Sequence, residues 1–286
     1  MSARRILVYV LAALLVIWTL VPIYWLLNMS LMFKTEFLAV PTHLYPHGPT
    51  ISNYSRLFGA TAIGPGGAEL PVIGQASIIQ NGLRNSVIVA LIVTAVTMLV
   101  SLPVAYALGR LDFRGRTAML FAIITSRSYP PIAIIIPFVL LYSQIGLQGT
   151  TRGLVLVYLT LTIPLVVWVM TGFFASLPRT VEAAARVDGN TRWQAFYRVI
   201  LPMSWPGIAV TTAICFMVCW NEFAFSQFLA AGSEAQTLPP AIATFFFQIS
   251  QPTEMAAVSI IAIIPPALLA YLFQSRIRNL NLVDPL

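Results

Sequence analysis

Side chains that carry charge, lone pairs or nucleophiles are scarce in this chain, so each one can be weighed separately. Charged residues make up 9% of it, with two cysteines and two histidines. Cys215 and Cys219 lie four residues apart within an apolar run, on one face of a helix, and read as small buried apolar residues. His43 and His47 stand in a proline-rich polar stretch and read as solvated loop surface. No set of His, Cys, Asp or Glu has the spacing of metal ligands, and no nucleophile–base arrangement is visible, so neither a metal centre nor a catalytic site is expected. Lys34 is the single lysine, and no Gly-x-x-x-x-Gly-Lys-Ser/Thr occurs. The chain therefore cannot build a phosphate-binding P-loop, and no cofactor of its own is expected.

Two ionisable residues fall inside apolar runs, where a charge costs about 2.5–3.5 kcal/mol on insertion scales and normally faces a cavity or a partner. Arg127-Ser128-Tyr129 opens a polar break completed by Pro130-Pro131, and the double proline frees carbonyls that must line a cavity or pack on protein. Trp220-Asn221-Glu222 interrupts a later run. Indole, amide, carboxylate and guanidinium together suit a polyhydroxylated ligand, the ring packing on C–H groups while the others bond hydroxyls. A second reading has Arg127 and Glu222 pair with each other, or with another chain, to hold helices together. Gln144, Trp168, Thr171 and Gln248 are weaker candidates.

The third cluster is the polar interruption 177–206, LPRTVEAAARVDGNTRWQAFYRVILPMSWP, between two apolar runs and so at a membrane surface. Thr180 is the expected N-cap of an Ala-rich helix 181–187. Gly189 supplies a left-handed C′ position, and Asn190 or Thr191 caps a second helix that Pro202 stops. Ala183–Ala185 forms a small, flat face flanked by Glu182 and Asp188 and ringed by Arg186, Arg192 and Arg198. A helix lying in headgroups would carry bulky apolar residues there, so this reads as a protein-docking element.

The elements that must hold these residues are membrane spans. The hydrophobic fraction is 58%, and an all-α polytopic membrane protein with six spans is expected: about 6–27, 83–108, 118–143, 153–174, 205–229 and 254–273. The organisation is a first span within 1–30, an outer region 31–80, a core 81–278 and a tail 279–286. The outer region is long for a loop and should carry short helices of its own or cover a partner. Of sixteen basic residues, eleven arginines fall in segments that are inner if the N-terminus is inside. That bias predicts both termini cytoplasmic, with 177–206 on the same side. The formal charge of +7 sits beside spans, which argues for lipid contact and against nucleic acid.

Glu182-Ala183-Ala184, Asp188-Gly189, Phe196 and Leu201-Pro202 at this spacing resemble the EAA loop of bacterial ATP-binding-cassette importer permeases. Tyr158, Pro164, Trp168 and Thr171–Phe174 leading into it, then Trp220–Phe223 and Thr237-Leu238-Pro239, are similar to the carbohydrate-type, maltose-type permeases over about 53–278. Asn190 stands where Ala is usual, 60–80 looks like an insertion, and 279–286 lacks the usual ending. The resemblance implies a cytoplasmic coupling helix seated in a separate ATPase, with Glu182, Ala183, Ala184, Asp188, Gly189, Phe196, Leu201 and Pro202 as the coupling residues. Glu182 would be held there by a basic residue of the ATPase. It implies as partners a second permease, two ATP-binding subunits that hold ATP and Mg, and an extracytoplasmic substrate-binding protein. The location would be the bacterial inner membrane and the cargo a sugar or polyol. Glycerol or glycerol phosphate is the alternative cargo. An ion-coupled secondary transporter is the rival class, which should show inverted repeats and more intramembrane carboxylates.

Overall fold

The computed structural model describes residues 3–73, 76–244 and 251–278. Gln248 and the tail 279–286 lie outside the described residues. The chain divides into two compact units, one of 1–81 with 241–264 and one of 82–240 with 265–286.

In the first unit, α1 (Ala3–Ser30) is apolar and exposed along most of its length, Trp18 reaching 84% exposure. Such a surface is stable only against lipid or another protein. The long polar region that follows does form small elements of its own. These are α2 (Lys34–Phe37), α3 (Ser52–Leu57) and a two-residue antiparallel ladder, β1 (Ala62–Ile63) with β2 (Glu69–Leu70). Asn53 fixes α3 by donating to the carbonyls of Ser30 and Met32, both at 2.8 Å, closing the last turn of α1. Arg56 makes a 2.8 Å ion pair with Glu254, whose other oxygen accepts from Thr253.

The second unit holds most of α4 (Ala76–Arg110), then α5 (Arg116–Thr125), α6 (Pro131–Gln144), α7 (Thr151–Ser176), α8 (Arg179–Val187) and α9 (Arg192–Met203). It continues through α10 (Trp205–Trp220) and α11 (Ala224–Ala230) into α12 (Leu238–Thr244), and takes in the later part of α13 (Pro252–Arg278). α4 and α7 form its axis. They cross closely enough that a Cβ on Gly109 would stand 2.9 Å from the Thr171 carbonyl. The Thr97 and Thr162 hydroxyls bond across the crossing at 2.7 Å. One buried cluster joins α4, α6, α7 and α11 around Val93, Ile135, Tyr158 and Phe225. A second joins α4, α7, α9 and α10 around Tyr106, Phe174, Phe196 and Cys215.

The span expectations need correction in two places. Among the described residues four helices are long and apolar enough to cross a membrane, five if the bent pair α9 and α10 is one span. The third expected span is two shorter helices: α5 closes with the Ser126 N–H on Ala122, and the chain restarts as α6 after the extended Pro130, neither Pro130 nor Pro131 having an N–H to continue the first helix. The fifth breaks at 221–223, where the helix ends and α11 restarts.

Candidate functional site

α8 begins one residue before the expected cap. Its N-cap is Pro178, with no side-chain hydrogen bond, and Thr180 lies inside the first turn. Tertiary contact, of a different kind from a cap, fixes the start of the helix. Arg110, at the end of α4, donates through Nη1 to the Leu177 carbonyl at 2.7 Å and through Nη2 to Pro178 at 3.0 Å. Its Nε reaches Glu182 at 3.1 Å, and the Tyr106 hydroxyl donates to the other Glu182 oxygen at 2.8 Å. Only 2% of the Arg110 side chain is exposed. A planar guanidinium with donors in a fixed fork is suited to this triple task. Glu182, expected to be held by another protein, is thus engaged by its own chain.

The turn between α8 and α9 follows the sequence closely. Gly189 has φ +87°, its N–H donates to Arg186, and the Asn190 N–H donates to Ala185. This is a Schellman closure with glycine at C′. Asn190 adds its side-chain amide to the Ala185 carbonyl at 2.9 Å, which gives this residue a local role. Thr191 forms a full capping box with Gln194.

α9 does not stop at Pro202. It runs to Met203, passes through a π turn at Phe196–Ile200, and meets α10 at 77°. The wider turn takes the Leu201 N–H to Phe196, and proline follows where no further donor is required. Phe196 is buried, 4.6 Å from the Tyr106 ring, and meets Phe174 edge-on at 6.3 Å.

The eight expected coupling residues therefore split. Glu182, Phe196 and Leu201 face their own spans. Ala183, Ala184, Asp188, Gly189 and Pro202 are exposed. Two further exposed apolar side chains, Val187 at 87% and Trp193 at 59%, lie on the same segment. Beside α8, a cleft of about 260 Å³ is lined by Arg179, Arg186 and Arg192 together with Asp112 and the Arg110–Glu182 pair.

The other candidates stay separate. Arg127, Ser128 and Tyr129 are exposed in the break between α5 and α6. Trp220 is buried and stacked on Phe216 at 5.8 Å, which removes that ring face from any ligand. Asn221 donates to the Met217 carbonyl and stands at one end of an apolar groove between α10 and α13. Glu222 accepts from the backbone N–H groups of Phe225 and Ser226 at 2.9 and 3.2 Å, capping α11. The buried Tyr158 hydroxyl faces this carboxylate without reaching hydrogen-bonding geometry. Among the described residues Glu222 makes no ion pair, so the suggested Arg127–Glu222 pairing is absent. Thr171 is buried and bonds the Ala105 carbonyl across helices, whereas Trp168 and Gln144 are exposed.

Two short helices in a fixed elbow are rooted in α4 and α7 and expose small and apolar side chains. Residues 101–279 match the family of binding-protein-dependent transport system inner membrane components. The chain belongs to that family. Among its relatives, the trehalose transport system permease protein SugB of Mycobacterium tuberculosis is 32% identical, with 97% of this chain and 96% of that protein covered. The trehalose/maltose permease protein MalG of Thermococcus litoralis is 30% identical, covering 96% and 94%. The fold matches a chain of a bacterial transporter involved in alginate import, with a TM-score of 0.76 at 21% identity, covering 96% and 98%. It is thus an ABC-importer permease fold. What sequence reasoning missed is Arg110 and Tyr106. Each is an ordinary residue at a span end, and their meeting with Glu182 across more than seventy positions left no local signal.

Proposed function

We propose that this chain is one permease subunit of an ATP-driven importer for a sugar or related polyol, forming half of the translocation path. The observation that carries the coupling role is the divided face of 179–203. One side is bolted to α4 and α7 through Arg110, Tyr106 and Phe196, and the other offers Ala183, Ala184, Val187 and Trp193 to a partner. A rigid root transmits force, and an exposed small-residue face lets another backbone approach closely. In this reading an ATPase subunit covers α8 and α9, and its acidic side chains meet the arginine-lined cleft. ATP and Mg are bound on that partner. Closure of two ATPase subunits pulls on the segment and swings α4 and α7, switching the path between sides.

Cargo chemistry follows the sugar-transporting relatives. Arg127, Ser128, Tyr129 and Asn221 are the path residues this reading keeps, since Trp220 and Glu222 are taken up by packing and capping. The arginine bias supports a cytoplasmic location for both termini and the coupling segment. An extracytoplasmic binding protein then meets the opposite side. Glycerol phosphate stays open as cargo because Arg127 could pair with an anion.

Native mass spectrometry after gentle extraction from the source membrane tests the assembly. The expected species holds one further permease and two copies of a nucleotide-binding subunit. A homodimer or bare monomer under mild detergent would return the ion-coupled class to first place.

A further inference from the structure

Neither the coupling segment nor the path uses the chain's two histidines, which the sequence places on solvated loop surface. In the first unit they converge on one carboxylate. The His47 backbone N–H donates to Glu36 Oε1 at 2.6 Å, and His43 Nδ1 lies 3.5 Å from the same oxygen. The two imidazole rings lie against each other with centroids 4.0 Å apart, and Tyr45 meets His47 edge-on at 5.1 Å. One donor atom from each of Glu36, His43 and His47 falls within 4.8 Å of the other two. The loop that carries them is tied to the end of α1 at two points. Asn28 donates to the Leu44 carbonyl, and the Thr50 N–H donates to Leu31, each at 2.9 Å.

We propose that Glu36, His43 and His47 bind one divalent transition-metal ion of the zinc type. Two imidazoles and a carboxylate form a nitrogen-rich donor set, unlike the all-oxygen shells that calcium and magnesium take. Bonds of about 2.0–2.2 Å in a tetrahedron place neighbouring donors roughly 3.3 Å apart. The Glu36–His43 separation already has that value within a few tenths of an ångström. His47 is exposed and can close the remainder by side-chain rotation. Three protein ligands leave one position for water. The ion would staple the segment 43–47 against α2. None of this depends on which side of the membrane the segment occupies.

The full chain, purified in detergent without a polyhistidine tag and stripped with a chelator, can be titrated with Co²⁺. The expected result is one Co²⁺ per chain with tetrahedral visible absorption, displaced by Zn²⁺. His43→Ala and His47→Ala should each abolish the absorption and weaken Zn²⁺ binding by roughly 100-fold or more. Glu36→Gln should weaken it, and Cys215→Ser with Cys219→Ser should leave it intact. If the histidine variants misfold, Zn²⁺ should still shield both imidazoles of the native chain from a histidine-modifying reagent, read by mass spectrometry. Absence of stoichiometric binding by the native chain, absence of shielding, or a signal that survives in the histidine variants would overturn the site.

Discussion

Arg110 shows how one residue fixes the start of the segment 179–203. Its donors serve Glu182 and two carbonyls at the end of α7, so removing it leaves the part-buried Glu182 with the Tyr106 hydroxyl alone and takes the donor from two carbonyls. Breaking a buried pair from one side costs about 3–5 kcal/mol. Arg110→Ala should therefore loosen α8 more than Glu182→Ala, and Tyr106→Phe should cost least, about 1.5–3 kcal/mol for one bond to a charged acceptor. Amide exchange over 179–187 measures this order, and equal protection in all three variants would remove the clamp from the argument. Gly189 tests the elbow separately. A Cβ there meets open space, but φ is +87°, so Gly189→Val is strained by backbone alone, by about 1–3 kcal/mol. The expected phenotype is continued ATP hydrolysis with uptake lost. Gly189→Asn should be milder, because Asn tolerates the left-handed region.

At the scale of elements, α8 and α9 differ in what holds them. α8 has no side-chain cap and depends on Arg110, whereas α9 carries its own capping box. Thr191→Ala should cost about 1 kcal/mol, visible as fraying of α9 with α8 unaffected. Phe196→Ala removes a buried ring packed on Tyr106 and Phe174 and should cost about 3–5 kcal/mol. A drop in thermal stability checks it, with loss of coupling at temperatures where the spans persist. The breaks in the third and fifth expected spans follow the same logic. Where proline removes a backbone donor, or the Glu222 carboxylate accepts the first N–H groups of the next helix, the helix ends and restarts.

For the whole molecule, the α4–α7 crossing is the part least tolerant of change. Gly109→Leu would drive a side chain into the Thr171 carbonyl, 2.9 Å from the first added carbon, and should abolish assembly as read by detergent-resistant recovery. Arg127 is the opposite case. It is exposed and makes no ion pair among the described residues, so Arg127→Met should change stability by no more than about 0.5 kcal/mol. A change in cargo affinity without loss of protein would then place Arg127 in the path; unchanged uptake would exclude it.

The sequence by itself determined the class, because composition, apolar run length and arginine placement are read locally. It determined the elbow of the coupling segment as well: Gly189, Thr191 and Gln194 act within a few residues of one another, and short-range hydrogen bonds leave a pattern in the chain. Only the tertiary structure decided which coupling residues face inward. It also decided that Trp220 and Glu222 serve packing and capping, and that Glu36, His43 and His47 meet. Those outcomes depend on contacts across loops and between helices, where geometry and not spacing selects the partner. The clamp between Arg110 and Glu182 is the clearest case: both residues are visible in the chain, and their pairing exists only once α4 and α7 have packed.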